Sequence, residues 1–146
     1  ERLHFYTNTF PTITETFHNH RYDFKSEILK GKIENEVAVI EISENGENLI
    51  KNESCNLGIE APEIDQKCNI LSSEVRVFDD TKQYTMTHDI FHKVKAEDKT
   101  ITFLTRSEYK KEFAQVILDG SSDECPFSLK IDESLLWLDI ERILND

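Results

Sequence analysis

Ile33-Glu34-Asn35-Glu36-Val37-Ala38-Val39-Ile40-Glu41-Ile42 is a stretch rich in Val and Ile whose apolar side chains recur with a period nearer two than 3.6. That period and those β-branched residues predict a strand. Working outward, Gly31 breaks the chain just before it, and Glu44-Asn45-Gly46-Glu47 follows with the Asn-Gly pair that favours a two-residue hairpin. Leu3 to Tyr6, Glu27 to Leu29, Glu74 to Phe78, Thr100 to Thr105 and Phe113 to Leu118 repeat the strand character. Asp79-Asp80-Thr81 and Glu97-Asp98-Lys99 are further polar breaks. Many short strands joined by polar turns predict an all-β antiparallel sandwich or barrel. Two segments depart from this. Residues 51 to 67 hold Gly58, Pro62 and several acids without periodicity, so an insertion over about 49–70 is expected, bracketed by Cys55 and Cys68. From Asp132 to Asn145, Leu136, Ile140, Ile143 and Leu144 fall at helical spacing behind Asp132 as N-cap and Glu133 in the first turn, which predicts a C-terminal helix over about 132–145. Trp137, with Leu136 and Ile140, is expected to pack that helix on the core, a dimer seam being the other reading.

A chain of 146 residues is read as a single domain, 1–146. With 38% hydrophobic residues, 10% aromatics and nine Phe, it has enough apolar surface to fold rather than remain disordered. Seventeen Lys and Arg against 29 Asp and Glu leave a net charge of −12, which argues against nucleic acid or an anionic membrane as partner, because both reward clustered cations. No apolar run approaches the roughly 18 to 20 residues that a membrane helix needs. No basic-then-apolar leader opens the chain, although a start at Glu1 leaves earlier trimming open. Cys55, Cys68 and Cys125 are odd in number and lack CxxC spacing, so free thiols and a cytoplasmic location are expected.

The five histidines are His4, the pair His18 and His20, and the pair His88 and His92. Residues two apart on a strand project to the same face, so His18 and His20 are placed to ligate one ion. The later pair can supply a third nitrogen. His88 and His92 would share a helix face, but Thr85-Met86-Thr87 and Lys93-Val94-Lys95 look extended, so one of them is expected inside and His88 is at most an outer neighbour of the site. His4 is expected on an exposed first strand. Asp23 as an acidic ligand is one residue out of phase with the strand.

On these residues the chain resembles the cupin superfamily, and within it the three-histidine, thiol-dioxygenase-like branch. His18-Asn19-His20-Arg21-Tyr22-Asp23-Phe24-Lys25-Ser26-Glu27-Ile28-Leu29-Lys30-Gly31 is similar to the first cupin motif, with two histidines one apart, then a ligand glutamate, then a glycine seven further on. Counted back from Gly31, the glutamate position holds Phe24. Thr87-His88-Asp89-Ile90-Phe91-His92 resembles the second motif in its histidine alone, without the Pro and Gly, and makes His92 the third ligand.

The resemblance implies a double-stranded β-helix, or jelly roll, with a metal inside. Fe(II) is the first expectation, with Ni, Zn, Mn and Cu left open. It implies dioxygenase-like, oxidoreductase chemistry on a small anionic molecule with O2 as co-substrate. Arg21, Tyr22, Tyr84 and Arg106 are expected to touch the substrate, since a cation or phenol near the metal would orient a carboxylate. Three neutral imidazoles leave coordination positions open for such an anion beside O2. The His and Tyr that thiol dioxygenases carry some fifteen residues past the third ligand are not found in Ile101-Thr102-Phe103-Leu104-Thr105-Arg106. The alternative is a metal-poor cupin that serves as a ligand-binding or protein-interaction module without catalysis, and a homodimer is left open in either case.

Overall fold

The computed structural model describes residues 1–8, 16–53, 60–118 and 132–145. Nine strands, β1 (Arg2–Tyr6), β2 (Tyr22–Lys30), β3 (Lys32–Ile42), β4 (Asn48–Glu53), β5 (Gln66–Asp79), β6 (Gln83–Met86), β7 (His92–Ala96), β8 (Thr100–Tyr109) and β9 (Ala114–Leu118), precede one helix, α1 (Glu133–Asn145). They form two antiparallel sheets, ordered β1-β8-β2-β6 and β7-β3-β5-β4-β9. The all-β expectation with one C-terminal helix therefore holds at that level.

Strand alternation builds the interior. On β2, Tyr22, Phe24, Ser26 and Ile28 are buried while the residues between them are more exposed, and β3 answers with Ile33 and Asn35. Tyr22, Phe24, Met86 and Leu104 of the four-stranded sheet pack with Val37 of the other, so the core lies between the sheets. At polar breaks the chain crosses from one sheet to the other. Gly31, at φ 85°, joins β2 to β3, and a Cβ there would stand 2.5 Å from the Thr100 hydroxyl, so the turn needs glycine for both its backbone and its closeness to β8. The expected breaks before β6 and before β8 are turns, with Thr81 and Lys99 in the left-handed region.

The expected Asn-Gly hairpin fails for one reason, the position of β5. The Asn45-Gly46 turn forms, with the Gly46 amide donating to the Ser43 carbonyl at 3.0 Å. It does not make a hairpin, because Cys68 of β5 pairs with both Ile42 and Asn48 and so separates β3 from β4. A Cβ on Gly46 would lie 2.6 Å from the Cys68 nitrogen. Within the expected insertion over 49–70, β4 covers the start and β5 the end, with Ile50 and Glu53 buried, and residues 60–65 between them form no strand. Cys68 is a buried free thiol. Cys55 and Cys125 lie outside the described residues.

Asp132 caps α1 as expected, its carboxylate accepting from the amides of Ser134 at 2.9 Å and Leu135 at 3.3 Å. Trp137 does not pack on the core. It is 56% exposed, as are Leu135, Leu138 and Leu144 to similar degrees, because the helix turns Asp139 and Ile143 inward instead. Arg142 ties that face down, donating to Asp139, Asp98 and the Thr7 hydroxyl. No helix among the described residues is long and apolar enough to cross a membrane.

Candidate metal centre

His18 stands in the short stretch before β2, where its amide donates to the His92 carbonyl at 2.9 Å and its carbonyl accepts from the His92 amide at 2.8 Å. The same stretch bridges to β9, with the Asn19 amide donating to Gln115 and the Ile117 amide donating to Phe17. It therefore spans the two edges of the five-stranded sheet. Backbone pairing on both sides fixes His18 against His92, and the chain then carries His20 two residues on, at the entry to β2.

The ligating atoms of His18, His20 and His92 lie within 4.8 Å of one another. Nε2 of His20 and Nε2 of His92 are 2.8 Å apart. Two nitrogens held at right angles on one ion, each about 2.1 Å from it, stand roughly 3 Å from each other, so this pair already has the spacing of shared ligands. In His18 and His92 the opposite nitrogen is occupied. Nδ1 of His18 is 3.0 Å from the Thr16 carbonyl and Nδ1 of His92 is 2.7 Å from Oδ1 of Asn35; both oxygens can only accept, so both Nδ1 atoms carry the hydrogen and both Nε2 atoms keep a lone pair. The Asn35 amide is itself oriented, its NH2 group donating to the Met86 sulfur.

Burial keeps these imidazoles neutral. It pushes His92 down to about 2, with His18 and His20 adding to the effect, and His20 down to about 3, with His18 and the Lys111 ammonium contributing. His18 is lowered by the same loss of solvent. Neutral imidazoles are the form that binds a metal. The three-histidine set thus fits a divalent transition ion in number and protonation, and in spacing for the His20–His92 pair.

Around the triad the walls are aromatic. Phe24, at the position where the resemblance would put glutamate, sets its ring 4.7 Å from His20 and 5.8 Å from His92. Asp23 does not reach the triad: its carboxylate holds His88, accepting from the backbone amide and lying 2.8 Å from Nδ1. His88 accordingly stands apart from the three. His4 is half-buried rather than exposed, edge-on to Tyr6, and burial lowers it as well.

No protein-family model, curated protein or solved structure matches this chain.

Of the four expected substrate contacts, Tyr22 lies next to the triad, its ring 5.6 Å from His20. Arg106 pairs with Phe24 across β2 and β8, and its guanidinium sits 5.2 Å from the centre of the Tyr22 ring and 4.6 Å from that of Tyr109. Arg21 lies over Tyr109 at 4.0 Å with its Nε buried and unpaired among the described residues. Tyr84 stands one ring further away, edge-on to Phe24 and tilted against Phe78. Two neighbours of the site were not anticipated. β8 runs on past Arg106 to Tyr109, so the strand does bring a tyrosine to the histidine end, 6.0 Å from Tyr22. Lys111 follows, its ammonium pushed down to about 8 by burial although Asp89 opposes the shift. Its amide donates to the Arg21 carbonyl, which holds the loop after β8 over the same corner.

Proposed function

We propose that this chain is a metal protein of the jelly-roll, cupin-like kind, which holds one divalent transition ion, Fe(II) first, through His18, His20 and His92. Its activity on this reading is O2-dependent oxidation of a small anionic molecule. The observation that carries the reading is the convergence of three neutral imidazoles from segments some seventy residues apart, two of them with Nδ1 tied to a fixed oxygen. A bound ion with three neutral ligands would supply a full double positive charge and open positions for substrate and O2.

The chain's own residues would select the anion. Arg106 and Arg21 meet no carboxylate among the described residues, in a protein whose net charge is −12. An unpaired guanidinium beside an aromatic wall is suited to a bidentate hold on a carboxylate. On this reading Tyr22 and Phe24 shield the His20 side from water.

Metal analysis after anaerobic iron loading tests the first half: about one ion per chain is expected, with most of it lost in His20→Ala and His92→Ala and retained in His4→Ala. Equal retention in the three variants would sink the assignment. Oxygen consumption with small carboxylates and thiols tests the second half. A protein that binds iron, binds the anions and takes up no oxygen would be a binding module rather than an enzyme.

A further inference from the structure

β5 is paired along its whole length with β3 on one side, from Ile42 opposite Cys68 to Lys32 opposite Asp79. On its other side β4 covers only Gln66, Lys67 and Cys68. Among the described residues nothing pairs with the second edge from Asn69 to Asp79. A free edge of that length presents a row of unmet backbone donors and acceptors, and proteins normally blunt such edges with Lys, Pro or a bulge. Here there is no Lys and no Pro between Asn69 and Asp79, and the single bulge, where Leu71 is skipped between Ile70 and Ser72, lies near one end. Ser72 to Phe78 is left regular. Its side chains are also uncovered, with Val75 54% and Val77 49% exposed.

The sequence of this edge is complementary to itself. Glu74 and Arg76 lie on one face of the strand, already 2.9 Å apart and both exposed. An antiparallel pair of identical strands related by a two-fold axis sets one residue against its own copy, and each choice of that residue fixes every other pairing. An axis at Glu74 opposes two glutamates, and one at Arg76 opposes two arginines. At Ser73 it would bring the Leu71 bulge against Val75, and at Val77 it would put Glu74 against Asp80. At Val75 it places Glu74 opposite Arg76 of the partner subunit and Arg76 opposite Glu74 of the partner subunit, with the two valines between them on the other face. Opposite charges directly across an antiparallel pair stabilise it and like charges oppose it.

We propose that the chain dimerises through this edge, β5 to β5, antiparallel about a two-fold axis at Val75, so that the five-stranded sheet continues into a second copy. The occupant is the same chain because, of the registers centred from Ser73 to Val77, the one at Val75 sets each charge opposite its complement. The proposal does not depend on the metal.

Sedimentation or light scattering on the full chain tests it. The unaltered protein should have twice the chain mass. Glu74→Arg alone opposes arginines, and Arg76→Glu alone opposes glutamates, so each should weaken association by about tenfold or more and shift toward the single-chain mass. Mixed in equal amounts, the two variants should reassociate, because a chain with two arginines at these positions meets one with two glutamates. Circular dichroism of each variant checks the fold, which neither exposed change should alter. A single-chain mass for the unaltered protein, a dimer indifferent to both changes, or no recovery on mixing would each overturn the proposal.

Discussion

Asn35 touches no ion on the proposed reading, yet it decides whether His92 can bind one. Its Oδ1, 2.7 Å from Nδ1 of His92, forces the hydrogen onto that nitrogen and leaves Nε2 with a lone pair. Asn35→Leu keeps the volume and removes the acceptor, after which the ring is free to move its hydrogen to Nε2. Metal affinity should fall about 10- to 100-fold with the fold intact, read by metal titration beside circular dichroism. An unchanged affinity would mean that His92 needs no such support. The same contrast shows which residues of the site are legible in sequence. His18, His20 and His92 are, because metal chemistry draws on few residue types, although His18 and His20 stand in the bridged stretch before β2 rather than on the strand that their spacing suggests. Asn35, Thr16, Tyr109 and Lys111 are not. Nothing in an asparagine at position 35 announces that it will lie beside residue 92, and Tyr109 was hidden because β8 runs past its Ile- and Thr-rich part into Ser107 and Glu108.

Elements were legible where local composition and tertiary pairing agree. β3 combines β-branched residues with partners on both edges, and α1 joins helical spacing to a cap that forms as its sequence predicts. β4 reads as loop because Asn48-Leu49-Ile50-Lys51-Asn52-Glu53 is mostly polar. It is a strand because β5 and β9 flank it and satisfy its backbone. β5 is legible only in its Val-rich portion, since its first half owes its conformation to β3 and β4. Turns carry more certain information. Gly31 sits at φ 85° against Thr100, so Gly31→Ala adds both a strained backbone and a clash with the start of β8. A loss of at least about 1 kcal/mol is expected in denaturant unfolding. A neutral change would show that β2 and β3 can separate from β8 at little cost.

At the scale of the whole molecule, the buried histidines make stability depend on pH in a definite direction. Their folded pKa values lie well below the ordinary imidazole value of 6.5, at about 3 for His20 and about 2 for His92, because burial penalises the charged form. Unfolded histidines take up protons as the pH falls through 6.5, while the folded ones do not, so acid draws the chain toward the unfolded state. The contribution is fully present above the unfolded pKa and is lost progressively below it, by up to about 1.4 kcal/mol per pH unit for each histidine that stays neutral in the fold. Asp23, Glu36, Asp79, Asp89 and Asp98 are held low by local hydrogen bonds, but they titrate in a more acid range and are too exposed to add much. Between about pH 6.5 and 4.5 the histidines should therefore dominate. Chemical denaturation of metal-free protein across that interval should show stability falling steadily. A divalent ion should raise the unfolding midpoint at neutral pH and lose that effect as protons compete for the same three nitrogens. A flat profile without metal would mean that the imidazoles are protonated in the folded state, and three charges packed this closely could not then serve as ligands.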